Sequence, residues 1–147
     1  MTRPLSICPD CDRAFANRNQ THTCGLHDLD RHFEGKAPII REIYEAFLAL
    51  LESIGPVTVL PEKTRIAFQT RMSFAQLTPK PAWVDGHLVL ARAVRDPLFR
   101  KVETISARNH VHFFRLSAPS DLTRRFRAFA KEAYAVGRQE HLRTPRR

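Results

Sequence analysis

The sequence predicts an α+β fold preceded by a small cysteine-bearing lobe, and three observations lead there. All three cysteines fall in one stretch, "CPDCDRAFANRNQTHTC", residues 8–24. Two later segments repeat apolar residues at spacings of three and four, the period of a helix with one buried face. Between them lie short runs rich in β-branched and aromatic residues, punctuated by prolines 56, 61, 79, 81 and 97. At 147 residues, with 43% hydrophobic content and ten phenylalanines, the chain can build one real core.

The lobe comes first. Cys8 and Cys11 form C-x-x-C, a spacing that lets two thiolates grip one tetrahedral ion from a single tight turn, with Pro9 and Asp10 at the bend. His22 and Cys24 follow, two apart, and share a side if that piece is extended. Three thiolates and an imidazole close the shell of a structural zinc site, so the expected ligands are Cys8, Cys11, His22 and Cys24. His27 stays open as a replacement for His22, whose spacing is better, and His32 is a remote candidate. Phe15 supplies the one large apolar plug such a knuckle needs, while Arg13 and Arg18 can balance the excess thiolate charge. So short a segment has almost no core without its metal, and zinc is expected to fold it. The surrounding residues lack the βαβ pattern of a redox-active C-x-x-C.

An odd cysteine count argues against a disulfide framework and fits a reducing compartment, the cytoplasm by default. No apolar run of eighteen residues occurs, so no membrane span is expected. The opening "MTRPLSICPDCDR" reaches the cysteine pair before an apolar signal-peptide core can form.

In the body, "GLHDLDRHFEGK" reads as a short helical connection ending near Gly35. "APIIREIYEAFLALLESIGP" is the clearest helix. Ile40, Ile43, Tyr44, Phe47, Leu48, Leu51 and Ile54 make its apolar face, Pro38 fits its first turn, and Gly55–Pro56 stops it. "VTVL", "RIAFQTR", "MSFAQL", "HLVLARAV" and "HVHFFRLS" are the five strands, and their brief connections imply an antiparallel meander. "SDLTRRFRAFAKEAYAVGRQEHL" closes the fold as a second amphipathic helix. Ser120 or Asp121 is its expected cap, and its stripe is Leu122, Phe126, Phe129, Ala130 and Ala133. Arg124, Arg125, Arg127, Lys131 and Arg138 form its wet side. The division is thus knuckle and connector at 1–34, α+β domain at 35–143 and basic tail at 144–147.

Net charge is +9. Residues 1–34 carry four basic and five acidic side chains, a balance of −1, so the other 113 residues carry +10. Such a field favours polyanions, nucleic acid above all, through counterion release. On "PEKTRIAFQTR" as a strand, Lys63, Arg65, Ala67 and Gln69 share a polar, basic side, and Ile66 and Phe68 share the apolar one. Arg65 can fork onto a phosphate, Arg71 lies just beyond, and small Ala67 leaves room for a ligand to approach. Arg100 and Lys101 add charge in "DPLFRKVETISARNH", and Arg92, Arg95, Arg108 and Arg115 extend it toward one sheet edge. Trp83 either anchors a strand or offers a stacking platform for a base. His110 and His112 share a strand face and form the one hydrolytic candidate, but no nearby acid completes the device. Buried, hydrogen-bonded histidines are the plainer account.

The run "CPDCDRAFANRNQTHTC", then "HFEGK", "KTRIAFQTRMSFA", "FRKVE", "HVHFFRL" and "EAYAVGRQEHL", resembles bacterial proteins carrying domain of unknown function 5655. The resemblance spans about residues 8 to 142. It implies the same α+β layout, a zinc-finger-like segment ahead of the domain, and, through nuclease-like or DNA-modifying partners of relatives, a tilt toward nucleic acid. It implies no particular activity.

The combined expectation is a zinc-stabilised binding module, not an enzyme, that contacts nucleic acid or another polyanion. The rival readings are a domain that binds an acidic protein or a small ligand, and a hydrolase built on the paired histidines.

Overall fold

A computed structural model of the chain describes residues 29–140, together with residues 6–7 and 14–15. Ser6–Ile7 (β1) and Ala14–Phe15 (β2) pair antiparallel, Ser6 opposite Phe15 and Ile7 opposite Ala14. The expected metal ligands Cys8, Cys11, His22 and Cys24, the alternative His27, and the basic tail at 144–147 lie outside the described residues.

A 3-10 turn over Leu29–Phe33 leads into Gly35, whose φ of +69° is the left-handed conformation that favours glycine. Helix α1 spans Pro38–Glu52 with proline in its first turn, as expected. Six strands follow: β3 (Thr58–Pro61), β4 (Ile66–Gln69), β5 (Ser73–Pro79), β6 (Val84–Leu90), β7 (Lys101–Ser106) and β8 (Asn109–Leu116). Helix α2 covers Arg124–Gly137.

The strands form one antiparallel sheet in the order β3-β4-β5-β6-β8-β7. This corrects the expected meander of five. The first four strands do run side by side, but β8 then pairs with β6, and β7 is displaced to the edge. Strand β7 escaped the sequence reading for a physical reason. Five of its six residues are exposed, so "KVETIS" presents no alternating apolar face. The β6 strand also begins earlier than expected. Val84, Gly86, Leu88 and Leu90 alternate as its buried side, and the glycine conceals the pattern. Both sheet edges carry features that discourage further pairing: β3 is four residues long and ends in proline, and β7 bears Lys101 and Glu103.

Both helices pack on one face of the sheet. Phe47 of α1 reaches Phe68 of β4, Phe114 of β8 and Phe126 of α2, with ring centroids 5.1, 6.1 and 6.1 Å away. Phe114 and Phe126 meet edge to face at 4.9 Å. Tyr134 of α2 packs on Phe74, and its hydroxyl donates to the Pro56 carbonyl at 2.7 Å, fastening the second helix to the end of the first. The α2 cap is Thr123, whose side-chain oxygen accepts from Phe126 N–H, and not Ser120 or Asp121. Asp121 is occupied one turn earlier, where its carboxylate accepts from the backbone of Ser117 and Ala118. Arg124, Arg125, Arg127, Lys131 and Arg138 are exposed as the helical period requires. Among the described residues no helix is long and apolar enough to cross a membrane.

Gly86 sits where β5, β6 and β8 crowd together. A Cβ there would lie 2.5 Å from the Gln76 carbonyl oxygen and 2.7 Å from the Phe114 ring. Backbone on one side and a buried ring on the other leave nothing free to yield. Gly86→Ala is expected to lower stability by about 1–3 kcal/mol, and Phe47→Ala by about 3–5 kcal/mol. Urea unfolding midpoints check both, and an unchanged midpoint for Gly86→Ala contradicts the crowding.

Candidate anion-binding face of the sheet

Because the helices cover one face, the alternate residues of every strand point to the other. There the sheet encloses an open hollow of about 730 Å³. One cross-strand row runs along its floor: Gln76 of β5 stands opposite His87 of β6, His87 opposite Phe113 of β8, and Phe113 opposite Lys101 of β7. A second row brings Thr78, Asp85 and Arg115 together. Five cationic side chains line the hollow, Arg65, Lys80, Arg100, Lys101 and Arg115, against the carboxylates of Asp85 and Glu103.

These cations differ in how firmly they are held. Arg115 is fixed twice: its Nε donates to Asp85 Oδ1 at 2.9 Å, and its guanidinium lies 4.6 Å from the centroid of the Trp83 ring. Trp83 Nε1 in turn donates to the other Asp85 oxygen at 3.2 Å. Lys101 pairs with Glu103 at 2.6 Å and also lies 5.3 Å from the Phe113 ring centroid. Arg65 reaches Glu62 at 3.1 Å. Lys80 and Arg100 have no acidic partner among the described residues.

His87 is half-buried at the centre of the floor. Its imidazole meets the Phe113 ring edge to face at 5.6 Å. Neither ring nitrogen has a hydrogen-bond partner among the described residues, and the same holds for the side chains of Gln76 and Thr78. Burial, reinforced by the positive charge of Arg65, lowers the His87 pKa to about 4. The ring is therefore neutral at pH 7.

The expected anion-binding residues divide. Arg65, just before β4, and Arg100 and Lys101, at the start of β7, converge on the hollow. Lys63 is exposed in the β3–β4 turn and does not line it. Arg71 lies elsewhere, its Nε donating to Gln139 Oε1 at 2.9 Å beside the end of α2. Trp83 is a strand anchor whose ring is already covered by Arg115 on one face. Arg92 makes a two-bond pair with Glu132 of α2, and so belongs to the strand–helix packing. Asp85, Arg115, His87, Gln76 and Phe113 were not singled out together from sequence. "VDGH" does place Asp85 and His87 on one side, but only the strand register shows which residues of β5 and β8 stand beside them.

His110 and His112 lie on the helix-facing side, away from the hollow. His112 is fully buried; its Nε2 accepts from Val94 N–H at 2.9 Å, which leaves Nδ1–H to donate to the His110 carbonyl at 2.9 Å. His110 Nε2 donates to the Ala107 carbonyl and Nδ1 accepts from the Thr104 hydroxyl. With both nitrogens of each ring engaged, this arrangement leaves no lone pair for a substrate or a metal.

The depressed His87 pKa sets a pH dependence. A group whose folded pKa falls from 6.5 to about 4 binds more protons when unfolded within that window. Its contribution to stability is complete above pH 6.5 and is lost as pH falls toward 4. In Arg65→Ala the His87 midpoint should rise; NMR titration of the imidazole reads it directly, and a midpoint near 6.5 in the parent chain contradicts the burial account.

No curated protein and no solved structure matches this chain. A family model described as Domain of unknown function (DUF5655) does match, over residues 29–137, the stretch that forms the helices and the six-stranded sheet. The chain belongs to the DUF5655 family.

Proposed function

We propose that the chain is a zinc-stabilised binding module whose open sheet face contacts a polyanion, nucleic acid foremost. The observation that carries this is the convergence of Arg65, Lys80, Arg100, Lys101 and Arg115, from four different parts of the chain, on one hollow. Surface charge spread at random binds polyanions weakly and without geometry. Cations gathered around a concavity focus the field and hold a phosphate from several sides. Arg115 adds preorganisation, since Asp85 and Trp83 fix its plane while its terminal nitrogens stay free of that pairing.

The metal part of the proposal rests on donor chemistry. Cys8, Cys11, His22 and Cys24 are the set that suits structural zinc. Support comes from the pairing of β1 with β2, since the chain joining them, residues 8–13, contains the whole C-x-x-C spacing. Bound there, zinc would cross-link a lobe too small to hold itself together.

A second reading has its own observation. The volume of the hollow falls within the range of small-molecule pockets, so a compact anionic ligand also fits the site.

Binding to an oligonucleotide should fall steeply with salt. Charge reversal of Arg65 and Lys101 to Glu should weaken binding on every sequence and flatten the salt slope by about 1–2. Anisotropy titrations across ionic strength read both effects, and binding that ignores salt sinks the proposal. Metal analysis should find about one zinc per chain, lost on replacing Cys8 and Cys24 with Ser. Chelation should loosen residues 8–34 to proteolysis while the far-UV signal of the body persists; a metal-free preparation with an equally protected lobe overturns the zinc assignment.

A further inference from the structure

We propose that the hollow seats one unstacked nucleotide, so that the sheet binds single-stranded nucleic acid in preference to duplex. This rests on the polyanion reading above and names the class of polyanion. Charge alone does not choose between strand and duplex; the shape and lining of the hollow do.

A duplex is a convex rod with its phosphates outside and its base edges in grooves. Laid on this face it would set its phosphates against the cations, while its base edges, already paired and recessed in the grooves, would be kept from Gln76, Thr78 and His87. A single strand can turn one base out of its stack and into the concavity. The floor suits such a guest. Gln76, Thr78 and His87 have no hydrogen bonds to the described residues, so their donors and acceptors are available. The Gln76 amide offers a donor and an acceptor together, and neutral imidazole offers one of each, the complement of a base edge. Phe113 lies beside them in the same row, and every base has a face to set against a ring.

The order of groups along that row matches the order of groups in a nucleotide. From β5 to β7 it reads amide, imidazole, phenyl ring, ammonium: Gln76, His87, Phe113, Lys101. Hydrogen-bonding groups stand at one end, an apolar surface in the middle and positive charge at the other. Arg100 precedes Lys101 with no side-chain partner among the described residues, so the phosphate end has a second cation. Arg115, fixed over Trp83, offers a planar guanidinium on the neighbouring row for the next phosphate or an adjoining base. The neutrality of His87 keeps the centre of the floor from drawing the phosphate inward.

The test uses the full chain and a labelled oligonucleotide of about twelve residues, single-stranded or annealed to its complement. Single strand should bind roughly tenfold or more tightly than duplex at moderate salt. Gln76→Ala should weaken the single strand by roughly fivefold and leave duplex binding and the salt slope unchanged. Phe113→Ala should act more strongly in the same direction. Because Phe113 is half-buried, Gln76→Ala, which removes no side-chain hydrogen bond to the described residues, decides the matter if Phe113→Ala fails to fold. Free mononucleotide separates the two sources of the same chemistry. Displacement of the strand by mononucleotide at equal nucleotide concentration assigns the hollow to a free nucleotide and overturns the strand preference. Equal affinity for strand and duplex, with Gln76→Ala silent, overturns the inference while the polyanion reading stands. No binding of either form, even at low salt, removes both.

Discussion

Two helices cannot cover a six-stranded sheet on both sides, and the rest of the structure follows from that constraint. Each helix is about 10 Å wide and neighbouring strands stand about 4.8 Å apart, so a helix pair laid side by side covers most of one face and nothing of the other. Phe47 locks this arrangement in place. It touches the sheet through Phe68 and Phe114 and the second helix through Phe126, so a single side chain joins β4, β8 and α2 to α1. With most apolar alternates of β5, β6 and β8 drawn to that side, their other alternates stand on a face that no described helix covers, whereas β4 is buried on both sides. The open face therefore results from how the core is paired, and its polarity is required before any function is considered.

The two faces treat their histidines in opposite ways, which shows how little a residue type means without its partners. His112 and His87 both have lowered pKa values, and burial is the leading cause in each. His112 faces the helices, fully buried, and both its nitrogens are bonded to backbone groups. Through the Val94 bond it braces β8 against the segment near Val94. His87 faces the hollow with neither nitrogen bonded to a described residue. A neutral imidazole in the first setting is spent on structure; in the second it remains able to bond a guest.

The helices and the sheet were legible to different degrees. Both helices could be read closely because a period of 3.6 needs no partner to be seen: Ile40, Ile43, Phe47 and Leu51 declare their own face, and Gly55–Pro56 declares the end. Strands that bury one side were also visible, as in "HVHFFRLS", where His112, Phe114 and Leu116 are the buried alternates. What escaped is what depends on pairing. Strand β7 has almost no buried side, so its identity lies in hydrogen bonds to β8 and not in its composition. Register was invisible for the same reason. Arg65, Arg100 and Lys101 could be chosen for their charge, but the row Gln76–His87–Phe113 joins three strands by a register that no single segment encodes. Arg71 shows the converse error of charge reasoning: it stands near Arg65 in sequence and is engaged by Gln139, on the far side of the chain's connectivity.

The charge of the body, finally, divides the site's work in two. Many of the body's cations are locally paired, as in Arg92–Glu132, Arg125–Asp96 and Arg138–Glu140, and exposed pairs of this kind add little to stability. Around the hollow, Arg115, Lys101 and Arg65 also have carboxylate partners, yet Lys80 and Arg100 have none among the described residues. An anion arriving there meets two cations whose charge is uncompensated and three whose partners fix their position. The uncompensated pair supplies long-range attraction that salt screens, and the partnered three supply short-range geometry that salt affects less. On the proposed reading, attraction to the face and discrimination among its ligands therefore reside in different residues. The cations draw any polyanion, and the uncharged side chains between them, Gln76, Thr78, His87 and Phe113, determine which one stays.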